Sequence, residues 1–177
     1  MRAIVLFSLV IVGACASGGS DPRATATSTQ SLIGGATLQR AEAVPEYVTP
    51  IDASVEPVWS ALPVVYDSLG IPLTIVDFKA HLLGNQGLKV QHTLGKVPLS
   101  KYIECGNGQV ISSADTYDIF LTVVSYVRAN GHGGSDLVTT MTAAAKPLIV
   151  AQEYFPCATR GELEKKIADI VKAMVGR

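Results

Sequence analysis

Between residues 55 and 69 the apolar positions Val55, Val58, Trp59, Leu62, Val65, Tyr66 and Leu69 advance by three, one, three, three, one and three. That spacing returns to one face of a helix at every turn, so an amphipathic helix is predicted. Ser54 is placed to cap its start and Gly70 to take the left-handed position after its end. Pro57 is tolerated in the first turn, whereas Pro63 should kink the middle, because it deletes a backbone donor there. The step then changes to two. Thr74, Val76, Phe78, Ala80 and Leu82 alternate with Asp77, Lys79 and His81, as in a half-buried strand. Gly84, Asn85, Gln86 and Gly87 read as a turn, and Leu88, Val90, His92 and Leu94 as the second arm of a hairpin.

Alternation is stronger over 117–127, and a glycine-rich tip at 130–134 leads into a partner strand over 137–145. A short extended piece around 148–155 extends the sheet. Residues 38–52 hold Val44, Tyr47, Val48 and Ile51 with Pro45 and Pro50, which suits an edge strand, since proline cannot donate to a ladder. The last element is a helix over 160–175. Its stripe is Leu163, Ile167, Ile170, Val171 and Met174, with Thr159 and Glu162 spaced as a capping box. Glu162 with Lys166, and Lys165 with Asp169, support its outer face. The order implies an α+β fold: an antiparallel sheet of about four to six strands, one helix on the N-terminal side and a long C-terminal helix. The single domain is expected over 38–177.

The N-terminus has a different pattern. Met1 and Arg2 precede an apolar run from Ala3 to Val12, interrupted by Ser8 and followed by Gly13, Ala14 and Cys15. Such a run is too short to span ~30 Å of hydrocarbon but matches the core of a cleavable export signal. Val12, Gly13, Ala14 and Cys15 resemble the lipobox of bacterial lipoproteins. The resemblance implies removal of 1–14 and attachment of diacylglycerol, and so of fatty acyl chains, to Cys15. An ordinary signal cut at Ala14 or later, with Cys15 incidental, is the competing reading.

Two or three acyl chains give stable anchoring where one holds only marginally. The tract 15–37 is dominated by Ser, Thr, Gly and Ala and reads as a flexible tether reaching about 25 to 30 Å. In the sorting habits of some diderm lipoproteins, Asp after the lipidated cysteine retains the protein at the inner membrane. Here that residue is Ala16. The resemblance therefore implies the periplasmic face of the outer membrane where the organism has one.

The V-x-x-V-W opening from Val55 to Trp59, the Gly70–Ile71 turn, Asp77 and the terminal amphipathic helix resemble the helix-grip domains of BamC lipoproteins, accessories of outer-membrane protein assembly. The likeness spans about 40–177. Cys105, Cys157 and the stretch 95–114 depart from that family's pattern.

With Cys15 lipidated, two of the three cysteines remain, and in an oxidising compartment Cys105 and Cys157 are expected to pair. A reactive thiol with a histidine partner is the rival. The formal net charge of −1 gives no bulk attraction for phosphate backbones, so no nucleic-acid partner is expected. His81, His92 and His132 share no metal-ligand spacing, and the Gly131, His132, Gly133, Gly134 run lacks the following helix that a phosphate loop needs. No metal site, cofactor or catalytic set is assigned, and no enzyme is expected. Trp59, Tyr66 and Phe78 read either as core or as the lining of a pocket between helix and sheet.

The expectation is thus a membrane-anchored envelope lipoprotein with a non-catalytic interaction or scaffold domain and an envelope protein partner. The alternative is a module that grips an apolar ligand or lipid.

Overall fold

The computed structural model describes residues 25–31, 37–106, 113–148 and 154–176. The residues read as an export signal, and Cys15, lie outside the described residues. β1 (Thr25–Ser31), in the tract read as a tether, pairs antiparallel with β2 (Thr37–Ala43), at the start of the tract read as the domain, as a separate two-stranded ribbon. β-Branched Thr25, Thr27 and Thr29 alternate along its first arm, a composition that favours extended backbone over coil.

The domain proper is α+β. After β3 (Glu46–Ile51), the predicted helix runs as α1 (Val55–Ser68), without a break in its assignment at Pro63. Val58, Trp59, Ala61, Leu62, Val65 and Tyr66 form its buried stripe. Gly70, at φ +70°, ends it, and the Ile71 N–H returns to the Tyr66 carbonyl at 2.9 Å.

The next hairpin reverses earlier than the sequence suggests. β4 is only Ile75–Asp77, and β5 is Leu82–Val90. Asp77 Oδ1 accepts the N–H groups of Lys79 at 2.8 Å and Ala80 at 3.1 Å, so the Asp side chain replaces ladder partners and turns the chain. These two donors also hold the Asp77 carboxyl below the usual carboxylate range, the Ala80 bond contributing most. Phe78 is consequently in the turn, 75% exposed, and not on a strand face. Gly84 to Gly87 lie inside β5, where the register shifts between Gln86 and Leu88 as a bulge. His92 leaves the face opposite Phe78 and sits beyond β5 at φ +61°.

Two minimal strands, β6 (Thr93–Leu94) and β7 (Val97–Pro98), pair around Gly95 and Lys96, both left-handed as a tight two-residue turn requires. β8 (Ile103–Glu104) follows a short 3-10 turn over Leu99–Lys101. The long hairpin is β9 (Asp118–Ala129) and β10 (Ser135–Lys146), as expected, with Asn130 bracing the tip by accepting from His132 N at 2.9 Å and Gly134 N at 3.2 Å. β11 (Phe155–Thr159) and α2 (Glu162–Val175) complete the chain.

The seven-stranded sheet runs β4-β5-β9-β10-β11-β8, and β3 also pairs with β10. One edge of β10 carries β9 throughout. Its other edge is divided, with β3 on Ser135–Thr140 and β11 on Ala143–Ala145. Ile119, Leu121, Val123, Ser125 and Val127 point inward from β9 toward the helices, and the layer they meet is filled by Leu62, Val65, Tyr66, Met141, Leu163, Ile167 and Val171, all buried. No helix among the described residues is long and apolar enough to cross a membrane.

Candidate functional site

An open groove of about 810 Å³ lies between the 97–102 segment and the start of α2. One wall is Val97, Ser100, Lys101 and Tyr102; the other is Arg160, Glu162, Lys165, Lys166 and Asp169. The first wall is a surface excursion that would drift if nothing fixed it, and three devices do so. Leu94, Leu99, Tyr102 and Ile103 are buried in the core, so the segment is seated by its own apolar side chains. Asp115 Oδ1 accepts the Ser100 N–H at 2.9 Å, while His92 donates a ring N–H to the Asp115 carbonyl at 2.6 Å. Finally, β8 pairs with β11 through Glu104 with Ala158 and Ile103 with Thr159, and the Arg160 N–H donates to the Tyr102 carbonyl at 2.8 Å.

One residue further along this ladder, Cys105 and Cys157 are joined by the expected disulfide. Their Cα atoms are 4.4 Å apart, the separation of directly opposed residues in a non-hydrogen-bonded antiparallel pair. The bridge therefore clamps the two-residue strand β8 to β11.

Charge is concentrated on the groove. Lys101, Arg160, Lys165 and Lys166 face it with two acids, Glu162 and Asp169, so four minus two leaves a formal +2 in a chain whose total is −1. The Arg160 guanidinium is already engaged by Glu104. Lys166 Nζ donates to the Tyr102 hydroxyl at 3.1 Å and stands 5.8 Å from the ring centre. The Lys101 and Lys165 side chains have no hydrogen-bond or ion-pair partner among the described residues.

The start of α2 differs from a capping box. Gly161 is the N-cap, at φ +74°, and Thr159 Oγ1 accepts the Gly161 N–H at 3.1 Å and donates to Glu164 Oε1 at 2.7 Å. Glu162, expected as Thr159's partner, is exposed on the groove instead. Glu164 is 2% exposed, and its Oε2 has no hydrogen-bond partner among the described residues. Its signal was present in the sequence: Glu164, Ala168 and Val171 recur at four and three residues, on the edge of the apolar stripe.

A second polar feature crosses the core. The Tyr66 hydroxyl bonds Ser125 Oγ at 2.8 Å, and Ser125 Oγ bonds Thr139 Oγ1 at 2.8 Å. Burial pushes the Tyr66 phenol well above its ordinary value, despite the Ser125 bond that opposes the shift. Ser125 is flanked by hydroxyls that hold their protons, not by an imidazole, so this chain ties helix to sheet and gives no activated nucleophile. At the far end of β9, Lys89 and Asp118 pair at 2.7 Å, and Gln91 also donates to Asp118. Gln91 and Lys89 together hold the Asp118 carboxyl low, and Asp118 holds the Lys89 ammonium high.

The three aromatic residues considered for a pocket are not on the groove. Tyr66 is fully buried, while Trp59 packs edge-on against Phe78 at 6.2 Å and His81 at 5.7 Å. His81 in turn meets Glu56 at 3.3 Å. His81, His92 and His132 thus sit in three separate turns, and no group of three His, Cys, Asp or Glu among the described residues could hold a metal ion. No family model matches the chain, and neither does any curated protein or solved structure.

Proposed function

We propose that this chain is a lipid-anchored cell-envelope protein whose α+β domain acts by recognition, without catalysis. In this reading Cys15 carries the acyl chains, the following tract is the tether, and the periplasmic face of the outer membrane is its station in a diderm organism. The Cys105–Cys157 bridge carries the reading, because a permanent disulfide suits an exported, oxidising compartment and here it clamps the wall of the groove. The export signal and lipobox-like residues ending at Cys15 support the same address. The alternative of an apolar ligand gripped between helix and sheet draws no support from that layer, where Leu62, Tyr66, Met141 and Ile167 occupy the space.

The groove is the proposed binding surface. A photo-crosslinking residue placed at exposed Glu162 in the full chain, in membranes of the host, should form a discrete adduct. The same residue at Asp67, on the outer side of α1, should not. Equal, diffuse labelling from both positions would contradict the assignment.

A further inference from the structure

We infer that the groove beside α2 is a binding site for a phosphate ester, presented either as a lipid headgroup or as a free phosphate compound. This inference rests on the recognition reading above and names the ligand class of its surface. Four observations carry it. Lys101 and Lys165 bring ammonium groups to opposite walls, free of partners among the described residues. Lys166 is held in place by Tyr102, a residue 3% exposed. The Tyr102 hydroxyl accepts from Lys166 and keeps its own proton. Arg160, the residue suited to fork onto a carboxylate, is occupied by Glu104.

What remains is a set of ammonium groups, which bind an oxyanion as point charges in the way lysine binds phosphate. Glu162 and Asp169 limit the formal surplus to two, and the Arg160–Glu104 pair reduces it further to one. That surplus of one balances a singly charged phosphate diester and is too small for a polyanion.

The position of the groove supports a headgroup. The Tyr47 ring lies against Gly161, since a Cβ built on that glycine would come 3.7 Å from Tyr47 Cε2. Tyr47 belongs to β3, the first strand of the domain after the tether tract, and Gly161 separates Arg160 from Glu162. Tether entry and groove therefore share one end of the domain, the end that an anchor at Cys15 would bring to the bilayer surface. Anionic lipid attracts lysines placed there.

Competitive amine labelling of the full chain, read lysine by lysine by mass spectrometry, tests this without any substitution. In one arm the protein, in non-ionic detergent, is labelled in inorganic phosphate and in chloride at equal ionic strength. In the other it is reconstituted into vesicles of phosphatidylcholine alone or with phosphatidylglycerol, both of which present a phosphate diester, with the detergent sample in chloride as the reference, and flotation first records whether it is anchored. Lys101 and Lys165 should label about tenfold more slowly when the groove is occupied about nine-tenths of the time, while Lys79 and Lys172 keep their rates. Protection in the vesicle arm alone identifies a headgroup, protection in the phosphate arm alone a soluble ester, and protection in both the shared chemistry. Unchanged rates at Lys101 and Lys165 in both arms, or slowing shared equally by Lys79 and Lys172, would overturn the inference. A chain that fails to float leaves the phosphate arm intact, so loss of the anchor reading and loss of the site are told apart.

Discussion

Replacing Cys105 and Cys157 together by serine should lower the unfolding free energy by about 4 kcal/mol and free the 97–106 segment from the sheet. The bridge closes a loop of 52 residues, and the chain entropy that the unfolded state gains when such a loop is opened is of that order. Little else can substitute for it. β8 contributes two paired residues, and the segment's other ties are the Arg160 to Tyr102 backbone bond, the side-chain bonds of Asp115, Arg160 and Lys166 to it, and a few buried side chains. Urea denaturation of the wild-type and double-serine chains gives the difference. The same samples should show faster amide exchange at Ile103 and Tyr102 in the variant, because local opening of the groove wall then costs less than global unfolding. A loss below about 1 kcal/mol would mean that core seating alone holds the wall.

The second large effect is expected at Gly84. It lies inside β5, opposite Ile75 on one side and Val124 on the other. A Cβ built there would stand 2.3 Å from the Val123 carbonyl oxygen and 2.8 Å from Val124 Cα. Both obstacles are backbone atoms of β9, the central strand, so relief requires displacing a paired ladder and not a side chain. Gly84→Ala should therefore destabilise by about 3 kcal/mol, the upper end of overpacking costs. Gly87 makes a useful contrast: its added Cβ would meet nothing within 4 Å, and only its φ of +89° opposes substitution. Gly87→Ala should cost about 1 kcal/mol. Thermal unfolding followed by circular dichroism separates the two, and equal losses would show that close approach does not govern position 84.

These glycines also explain where the sequence misleads. Gly84, Asn85, Gln86 and Gly87 have the composition of a turn, yet Gly84 is small because β9 passes close, and Gly87 accompanies a bulge. The true turn uses Asp77 as a side-chain acceptor and His81 at φ +47°, neither of which alternation can signal. By contrast α1, α2 and the β9–β10 hairpin follow directly from residue spacing, because each is long enough for its period to repeat several times. The disulfide pairing was legible from the number of cysteines. The groove it supports was not. β6, β7 and β8 are two residues each, too short to show any period, and the groove's second wall comes from a helix some sixty residues later in the chain. Lys101 and Lys165 become neighbours in function only once β8 joins β11.

Mass spectrometry of the protein isolated from its native host tests the proposed anchorage through Cys15 most directly. The predicted N-terminal peptide begins at Cys15 and carries a diacylglycerol thioether on its sulfur. A peptide that begins elsewhere, or one that contains Cys15 without the lipid, would contradict it.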